Sequence, residues 1–79
     1  MTPARIQPLT DPPRQVVVLT PRQRQVLGLL GDGRTTGKIA SELGIAEETA
    51  RNHIKAVLRA LEAKSRLEAV VSARHHGLL

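Results

Sequence analysis

The sequence lacks four residue types, each of which would allow a class of chemistry or recognition. None of its 79 residues is cysteine, phenylalanine, tryptophan or tyrosine. Without cysteine the chain can form no disulfide framework, thiolate zinc site or cysteine nucleophile. Without aromatic side chains it has no stacking platform of the kind on which single-stranded nucleic acids and RNA bases usually rest. These absences exclude several functions before any motif is considered.

The sequence also lacks long apolar runs. None approaches the roughly 18 residues that a membrane span requires. Pro3, Pro8, Pro12 and Pro13 interrupt the N-terminal segment. That segment therefore does not have the charged-then-apolar order of a secretory signal. We expect a cytoplasmic protein with no membrane span.

What the chain does contain is aliphatic residues and positive charge. A chain of 79 residues is one domain with a thin core. Leu, Val, Ile and Ala must build that core, and this composition favours helices. Twelve Lys and Arg residues against seven Asp and Glu give a formal net charge of +5. A small basic domain suggests an acidic partner, with nucleic acid first and an anionic membrane surface second.

Proline is concentrated near one end of the chain. Four of the five prolines lie within residues 1–13, which favours extended, solvated chain over helix. We therefore predict that residues 1–18 form a flexible, proline-rich tail or linker, disordered or extended, and that residues 19–79 form the folded domain. The short apolar run Val16-Val17-Val18-Leu19 fits either a strand stub or a segment laid against the core.

Helical spacing and capping residues predict four helices and an all-α fold. Thr20-Pro21-Arg22-Gln23 and Ser65-Arg66-Leu67-Glu68 are capping boxes that open the first and the fourth helix. The predicted bounds are about residues 21–31 for helix 1, Thr35 or Thr36 to Gly44 for helix 2, about residues 47–62 for helix 3, and from the Ser65 cap to about His75 for helix 4.

A very short link, Leu43-Gly44-Ile45-Ala46, joins predicted helices 2 and 3. A turn of three or four residues that contains Gly is typical of a helix-turn-helix unit. On predicted helix 3, Arg51, Lys55 and Arg59 centre about 120° from the apolar stripe. Asn52 borders this basic stripe. A helix with an apolar face inward and Lys, Arg and Asn outward has what entry into the major groove of DNA requires.

An ordered set of short motifs runs through residues 19–79: Leu19-Thr20-Pro21-Arg22, Val26-Leu27-x-Leu29-Leu30, Gly33, Lys38-Ile39-Ala40, Leu43-Gly44-Ile45, Thr49-Ala50-Arg51-Asn52-His53, Leu61, Ser65-Arg66, Ala69 and Gly77-Leu78-Leu79. With these motifs the segment resembles the LuxR-type (NarL/FixJ, GerE) C-terminal DNA-binding domain of bacterial transcription factors. The resemblance implies a four-helix fold in which helix 3 reads DNA and helix 4 often supports dimerisation.

The sequence departs from that family's pattern at four places. Ser or Thr is usual where Ala46 stands, Val where Ala50 stands, and Glu where Lys38 stands. A Lys-Leu-Gly sequence is usual near the end of helix 3, where this chain has Ala60-Leu61-Glu62. These departures predict a weaker cap on helix 3 and looser packing between helices 2 and 3.

The resemblance implies two sets of DNA-contacting residues. The set that reads base edges is Arg51, Asn52 and Lys55. The set that contacts phosphates is Thr35, Thr36 and Thr49. To this set we add the cations Lys38 and Arg59, which the resemblance itself does not supply. Glu48 lies on the same side of helix 3, and three roles for it stay open: holding Arg51 or Asn52 in place, accepting from cytosine N4, or repelling phosphates.

We expect no catalytic residue, no metal ligand and no cofactor. Ser41, Ser65 and Ser72 have no convincing base with an orienting acid beside it. His75 and His76 are adjacent, so on a helix they point about 100° apart, and no third ligand accompanies them.

The sequence thus predicts a sequence-specific transcriptional regulator that binds double-stranded DNA with helix 3 in the major groove. A promoter-binding module like region 4 of a sigma factor and a protein-interaction adaptor with a basic docking helix stay open as alternatives. We also expect a homodimer through helix 4, with Leu67, Val70 and Val71 facing the core. Ala69 and Ala73 then form its outward face. Contact with RNA polymerase, and whether the chain is a stand-alone regulator or part of a longer protein, stay open.

Overall fold

The computed structural model describes residues 17–79, and within this range the chain forms helices and no strand. The helices, in chain order, are α1 (Pro21–Gly31), α2 (Thr36–Leu43), α3 (Glu47–Ala60) and α4 (Arg66–His75). The predicted all-α fold with four helices is therefore confirmed for the described part of the chain.

Most of the predicted tail, residues 1–18, lies outside the described residues and stays a prediction. Val17 and Leu19 pack against the core, and Val18 between them is exposed. Residues 17–20 form no strand. Of the two alternatives for this apolar run, its described part is thus a segment laid against the core.

The first two helices begin as the sequence predicts. The Thr20 hydroxyl accepts a hydrogen bond from the Gln23 N–H at 3.1 Å, and the Gln23 side chain accepts from the Thr20 N–H at 3.0 Å. This reciprocal pair is a complete capping box. Thr35, and not Thr36, caps α2 by accepting from the Lys38 N–H at 3.2 Å.

The starts of α3 and α4 differ in the strength of their caps. Ala46 provides no side-chain hydrogen bond to α3, as the sequence predicts. Ser65 caps α4 by accepting from the Glu68 N–H at 3.1 Å. The Glu68 carboxylate, however, accepts from the N–H of Lys64. Only half of the predicted second capping box therefore forms, because the Glu68 carboxylate accepts from the N–H of Lys64 and not from that of Ser65.

All four helices end in the same hydrogen-bonded turn. In each, a residue with positive φ follows the helix, and the next N–H donates to the carbonyl five residues earlier, as in a Schellman motif. The residues with positive φ are Gly33, Gly44, Glu62 and Gly77. Glu62, at φ 55°, is the non-glycine member. The helix was predicted to extend to about Glu62, but α3 ends at Ala60. The left-handed conformation of Glu62 explains the difference, because a residue in that conformation cannot continue a right-handed helix.

Glu62→Gly is expected to raise the free energy of unfolding by about 0.5–1 kcal/mol. A side chain in the left-handed region costs about 1–2 kcal/mol, and the extra freedom of glycine in the unfolded chain returns about 0.5–1 kcal/mol of that. Urea denaturation followed by circular dichroism measures the change. Glu62→Ala keeps the Cβ atom and removes the rest of the side chain together with its charge. Equal stabilisation by both variants would contradict the backbone explanation.

The core is one cluster of aliphatic side chains to which all four helices contribute. α3 lies at its centre and packs against both α1 and α2. Leu43 and Ile45, next to the short link, pack against this cluster. Within residues 17–79 no polar or charged side chain is buried, so the charged groups lie at the surface. The buried members are Val26, Leu27, Leu30, Ile39, Ala40, Ala50, Ile54, Val57, Leu61, Ala69 and Ala73.

The face of α4 that we predicted to point outward is the face that packs against the core. Ala69 and Ala73 are fully buried, whereas Leu67 is 74% exposed and Val71 is 59% exposed. The prediction for this helix was wrong because it ranked side chains by hydrophobicity alone. α4 packs on α1 and α3, and small side chains at the contact let helix backbones approach closely. Val70, which we also predicted to face the core, does pack against it.

Candidate nucleic-acid interface

The turn between α2 and α3 consists of residues 44–46 alone. Gly44 adopts φ 66° and ψ 37°, the left-handed conformation that reverses the chain in so few residues. The Ile45 N–H donates to the Ala40 carbonyl at 3.0 Å and closes the turn. This link holds the start of α3 in a fixed place beside α2.

α3 has two chemically distinct faces. Ala50 and Val57 are fully buried and Ile54 is 6% exposed, so one face is held against the core. The three residues predicted to read bases lie on the other face and are exposed: Arg51, Asn52 and Lys55. The structure therefore brings this set together on one solvent-facing surface, which we call the basic face of α3. Arg59 continues it into the last turn of the helix.

Arg51 is paired with acidic residues of its own helix. Its Nη1 donates to Glu48 Oε1 at 2.8 Å, and its Nη2 lies 3.7 Å from Glu47 Oε2. These are i,i+3 and i,i+4 pairs at exposed positions, each contributing about 0.2–0.5 kcal/mol to a helix. The contact required by the first of the three roles left open for Glu48, holding Arg51, is therefore present.

Four of the five residues predicted to contact phosphates lie near the starts of α2 and α3. Thr35, Lys38 and Thr49 are exposed, and Thr36 is half-buried. The two helix starts are neighbours: a side chain at Gly37 of α2 would meet the Glu47 carboxylate of α3 at van der Waals distance, with its Cβ atom 3.9 Å from Oε2. The first turn of a helix presents unpaired N–H groups that favour anions. Four of the five predicted phosphate contacts thus lie in or beside the first turns of these two neighbouring helices, and Arg59 lies in the last turn of α3.

Arg66 is a residue whose role the sequence interpretation missed. Its Nη1 donates to the Arg34 carbonyl at 3.1 Å, and its Nη2 donates to the Thr36 hydroxyl. The first residue of α4 is thereby tied to the first residue of α2. The motif Ser65-Arg66 was visible in the sequence, but no spacing rule links two residues 30 positions apart. Since the Thr36 oxygen accepts from Arg66, its hydroxyl hydrogen is left to donate elsewhere.

Between residues 17 and 79, no three His, Cys, Asp or Glu side chains are grouped closely enough to hold a metal ion. Over the same range, no helix is both long and apolar enough to cross a membrane.

Two helices joined by so short a turn, the second apolar on one face and basic on the other, define a helix-turn-helix domain. The family model for bacterial regulatory proteins of the luxR family matches residues 17–73. The chain belongs to this family, and the domain is that of a DNA-binding regulator of transcription. The LuxR-type resemblance of the sequence is thereby confirmed.

Individual relatives agree with this membership. The spore germination protein GerE of Bacillus subtilis is 47% identical over 62 residues, which are 78% of this chain and 84% of GerE. The transcriptional regulatory protein DesR of the same organism is 44% identical over 59 residues, 75% of this chain and 30% of DesR. The nitrate/nitrite response regulator NarL of Escherichia coli is 43% identical over 58 residues, 73% of this chain and 27% of NarL.

A solved structure of the transcription factor GerE has the same fold. It superposes with a TM-score of 0.71 at 34% sequence identity and covers 77% of this chain and 91% of that chain. The chain therefore spans most of GerE in length, but less than a third of DesR and of NarL.

Proposed function

We propose that this chain regulates transcription by binding double-stranded DNA in a sequence-specific manner, with α3 in the major groove. The observation that carries the proposal is the basic face of α3. Arg51, Asn52 and Lys55 lie together on the solvent side of a helix whose opposite side is buried. The major groove admits one α-helix, and these three side-chain types pair with guanine and adenine edges there.

The surroundings of α3 support a phosphate-binding role for the second set of residues. Thr35, Thr36 and Thr49 place hydroxyl groups near two adjacent helix starts, and Lys38 adds a cation beside them. Contacts of this kind supply most of the affinity and fix the position of the protein on the duplex, whereas base contacts select the sequence. With α3 in the groove, its last turn brings Arg59 toward the backbone as a further phosphate contact.

Binding to a random duplex tests the nucleic-acid part of this proposal. The logarithm of the association constant is expected to fall with the logarithm of salt concentration, and Lys38 and Arg59 alone predict a slope of about −2. Lys38→Ala and Arg59→Ala are each expected to reduce the slope by about 1. Fluorescence anisotropy over a salt series measures both. No duplex binding at low salt would favour the adaptor alternative, in which the basic face docks on an acidic protein.

α4 supports a second element of the proposal, a homodimer on DNA. Leu67 and Val71 lie one helical turn apart and are both mostly exposed, so burial of this pair against a second copy would remove apolar surface from water. The predicted dimer through helix 4 is retained, but with these two residues in place of the alanine face. Two copies would bind half-sites about one helical turn of DNA apart. Selection of duplexes from a randomised pool reports this spacing, and a single unpaired half-site would contradict the dimer.

Three further parts of the proposal follow from this role. Binding DNA to regulate transcription requires no catalytic step, so we propose that the chain is not an enzyme. The same role requires the protein to be present with the chromosome in the bacterial cytoplasm. RNA polymerase is the partner through which a bound regulator would act on transcription, and an affinity measurement with purified polymerase on a selected duplex tests that contact.

A further inference from the structure

Glu48 lies in the middle of the basic face of α3. At about 100° per residue, Arg51, Asn52 and Lys55 all project within about 60° of its direction. It belongs to the first turn of the helix, and in helix-turn-helix proteins the N-terminal residues of the recognition helix contact base edges. An acidic side chain thus occupies the part of the surface that would come closest to the bases.

The carboxylate of Glu48 is only partly used by the protein. Its Oε1 accepts one hydrogen bond from Arg51 at 2.8 Å. No other described residue donates to it, and its side chain is 74% exposed. An ionised carboxylate can accept about four hydrogen bonds, so most of its accepting capacity faces outward, beside the guanidinium of Arg51.

The chemistry of the groove determines what such a carboxylate can accept from. This step rests on the proposed function. Phosphates repel it, and a carboxylate that loses water without gaining a donor is costly. The major groove offers two kinds of base donor, the N4 amino group of cytosine and the N6 amino group of adenine. Adenine presents the N7 acceptor directly beside N6, and that lone pair opposes a carboxylate. Cytosine presents a donor without a neighbouring acceptor on the same base.

We propose that Glu48 is a specificity-determining residue that accepts a hydrogen bond from the N4 amino group of a cytosine. The Arg51 guanidinium, held beside it, donates to the guanine of the same or the neighbouring base pair. Glu48 and Arg51 therefore act together and select a DNA sequence that contains a C·G base pair at this position. Glu48 also weakens binding to every sequence that offers it no donor, because its charge then faces phosphates alone.

Glu48→Gln tests the proposal because it keeps the shape of the side chain while replacing an acceptor by a donor. Glutamine pairs with adenine through N6 and N7. Duplexes selected from a randomised pool by the wild-type chain are expected to contain cytosine at one fixed position. The variant is expected to select adenine there and to keep the other positions. The ratio of affinities for the cytosine and adenine duplexes is expected to change about tenfold or more.

Glu47→Gln is the matched control, since it removes the same charge from the adjacent residue. Glu47 lies 3.7 Å from Arg51 but projects about 100° away from Glu48 around the helix. Its selected sequence is expected to equal that of the wild type. The control thus separates a base contact from a general loss of negative charge.

The other outcomes each overturn the inference. If Glu48→Gln binds all duplexes more tightly with an unchanged preference, the carboxylate only repels phosphates. If the variant loses selection only at the guanine, Glu48 acts only by holding Arg51. If the wild-type chain selects no sequence, the proposed function fails together with the inference, whereas a wild type that selects a sequence without this cytosine overturns the inference alone.

Discussion

Leu27→Ala is expected to lower the free energy of unfolding by about 2–5 kcal/mol, the range for removal of a large buried aliphatic side chain. Leu27 is 1% exposed and is among the largest fully buried side chains. At roughly 0.05–0.15 kcal/mol per residue, residues 17–79 have a total stability of only about 3–9 kcal/mol. The substitution therefore removes from about a fifth of the stability to all of it, and urea denaturation measures the loss.

Leu67→Ala is the matched control for this prediction. It deletes the same atoms from a side chain that is 74% exposed. Measured at low protein concentration, where association through α4 contributes nothing, its effect is expected to stay within about 0.5 kcal/mol. A loss as large as that of Leu27→Ala would mean that burial in this fold does not determine the cost of the deletion.

Lys55→Ala and Arg51→Ala are each expected to weaken binding to the selected DNA sequence by about 1–3 kcal/mol, roughly 5- to 160-fold. Both side chains lie on the basic face of α3 and are exposed, so the fold is expected to survive their removal. Competition binding with single-base variants of the selected duplex is expected to show relaxed preference at the position that each residue reads.

Lys38→Ala supplies the contrast for these two variants. Lys38 is a predicted phosphate contact, so its loss is expected to weaken all duplexes by a similar factor and to leave the sequence preference intact. Circular dichroism checks that each variant is folded. If Lys55→Ala and Arg51→Ala, both folded, kept the wild-type affinity and preference, the base-reading set would be wrong.

Local features of this fold could be predicted from the sequence because their causes are local. The capping box between Thr20 and Gln23 and the turn at Gly44 each depend on a few adjacent residues. The two faces of α3 follow from helical periodicity, and so does the pairing of Arg51 with Glu48 one turn earlier. Once the bounds of α3 were predicted, helical periodicity was therefore enough to predict which of its residues lie together on the exposed face.

Features that depend on distant residues could not be predicted in this way. The burial of Ala69 in place of Leu67 depends on how closely α4 approaches α1, which periodicity does not report. The hydrogen bonds from Arg66 to the start of α2 join segments that the chain separates by 30 residues. Whether Arg51, Asn52 and Lys55 read bases is likewise a matter of contact with a partner, and it stays a prediction.

The shortness of the links between helices has a consequence for the rate of folding. The connections comprise residues 32–35, 44–46 and 61–65, so neighbouring helices meet after closing only small loops, which costs little entropy. Helical domains dominated by such local contacts fold in microseconds to milliseconds. At equal stability, a domain that folds faster also unfolds faster. We therefore expect the thin core of this domain to open and close again more often than the core of a slower-folding domain of the same stability.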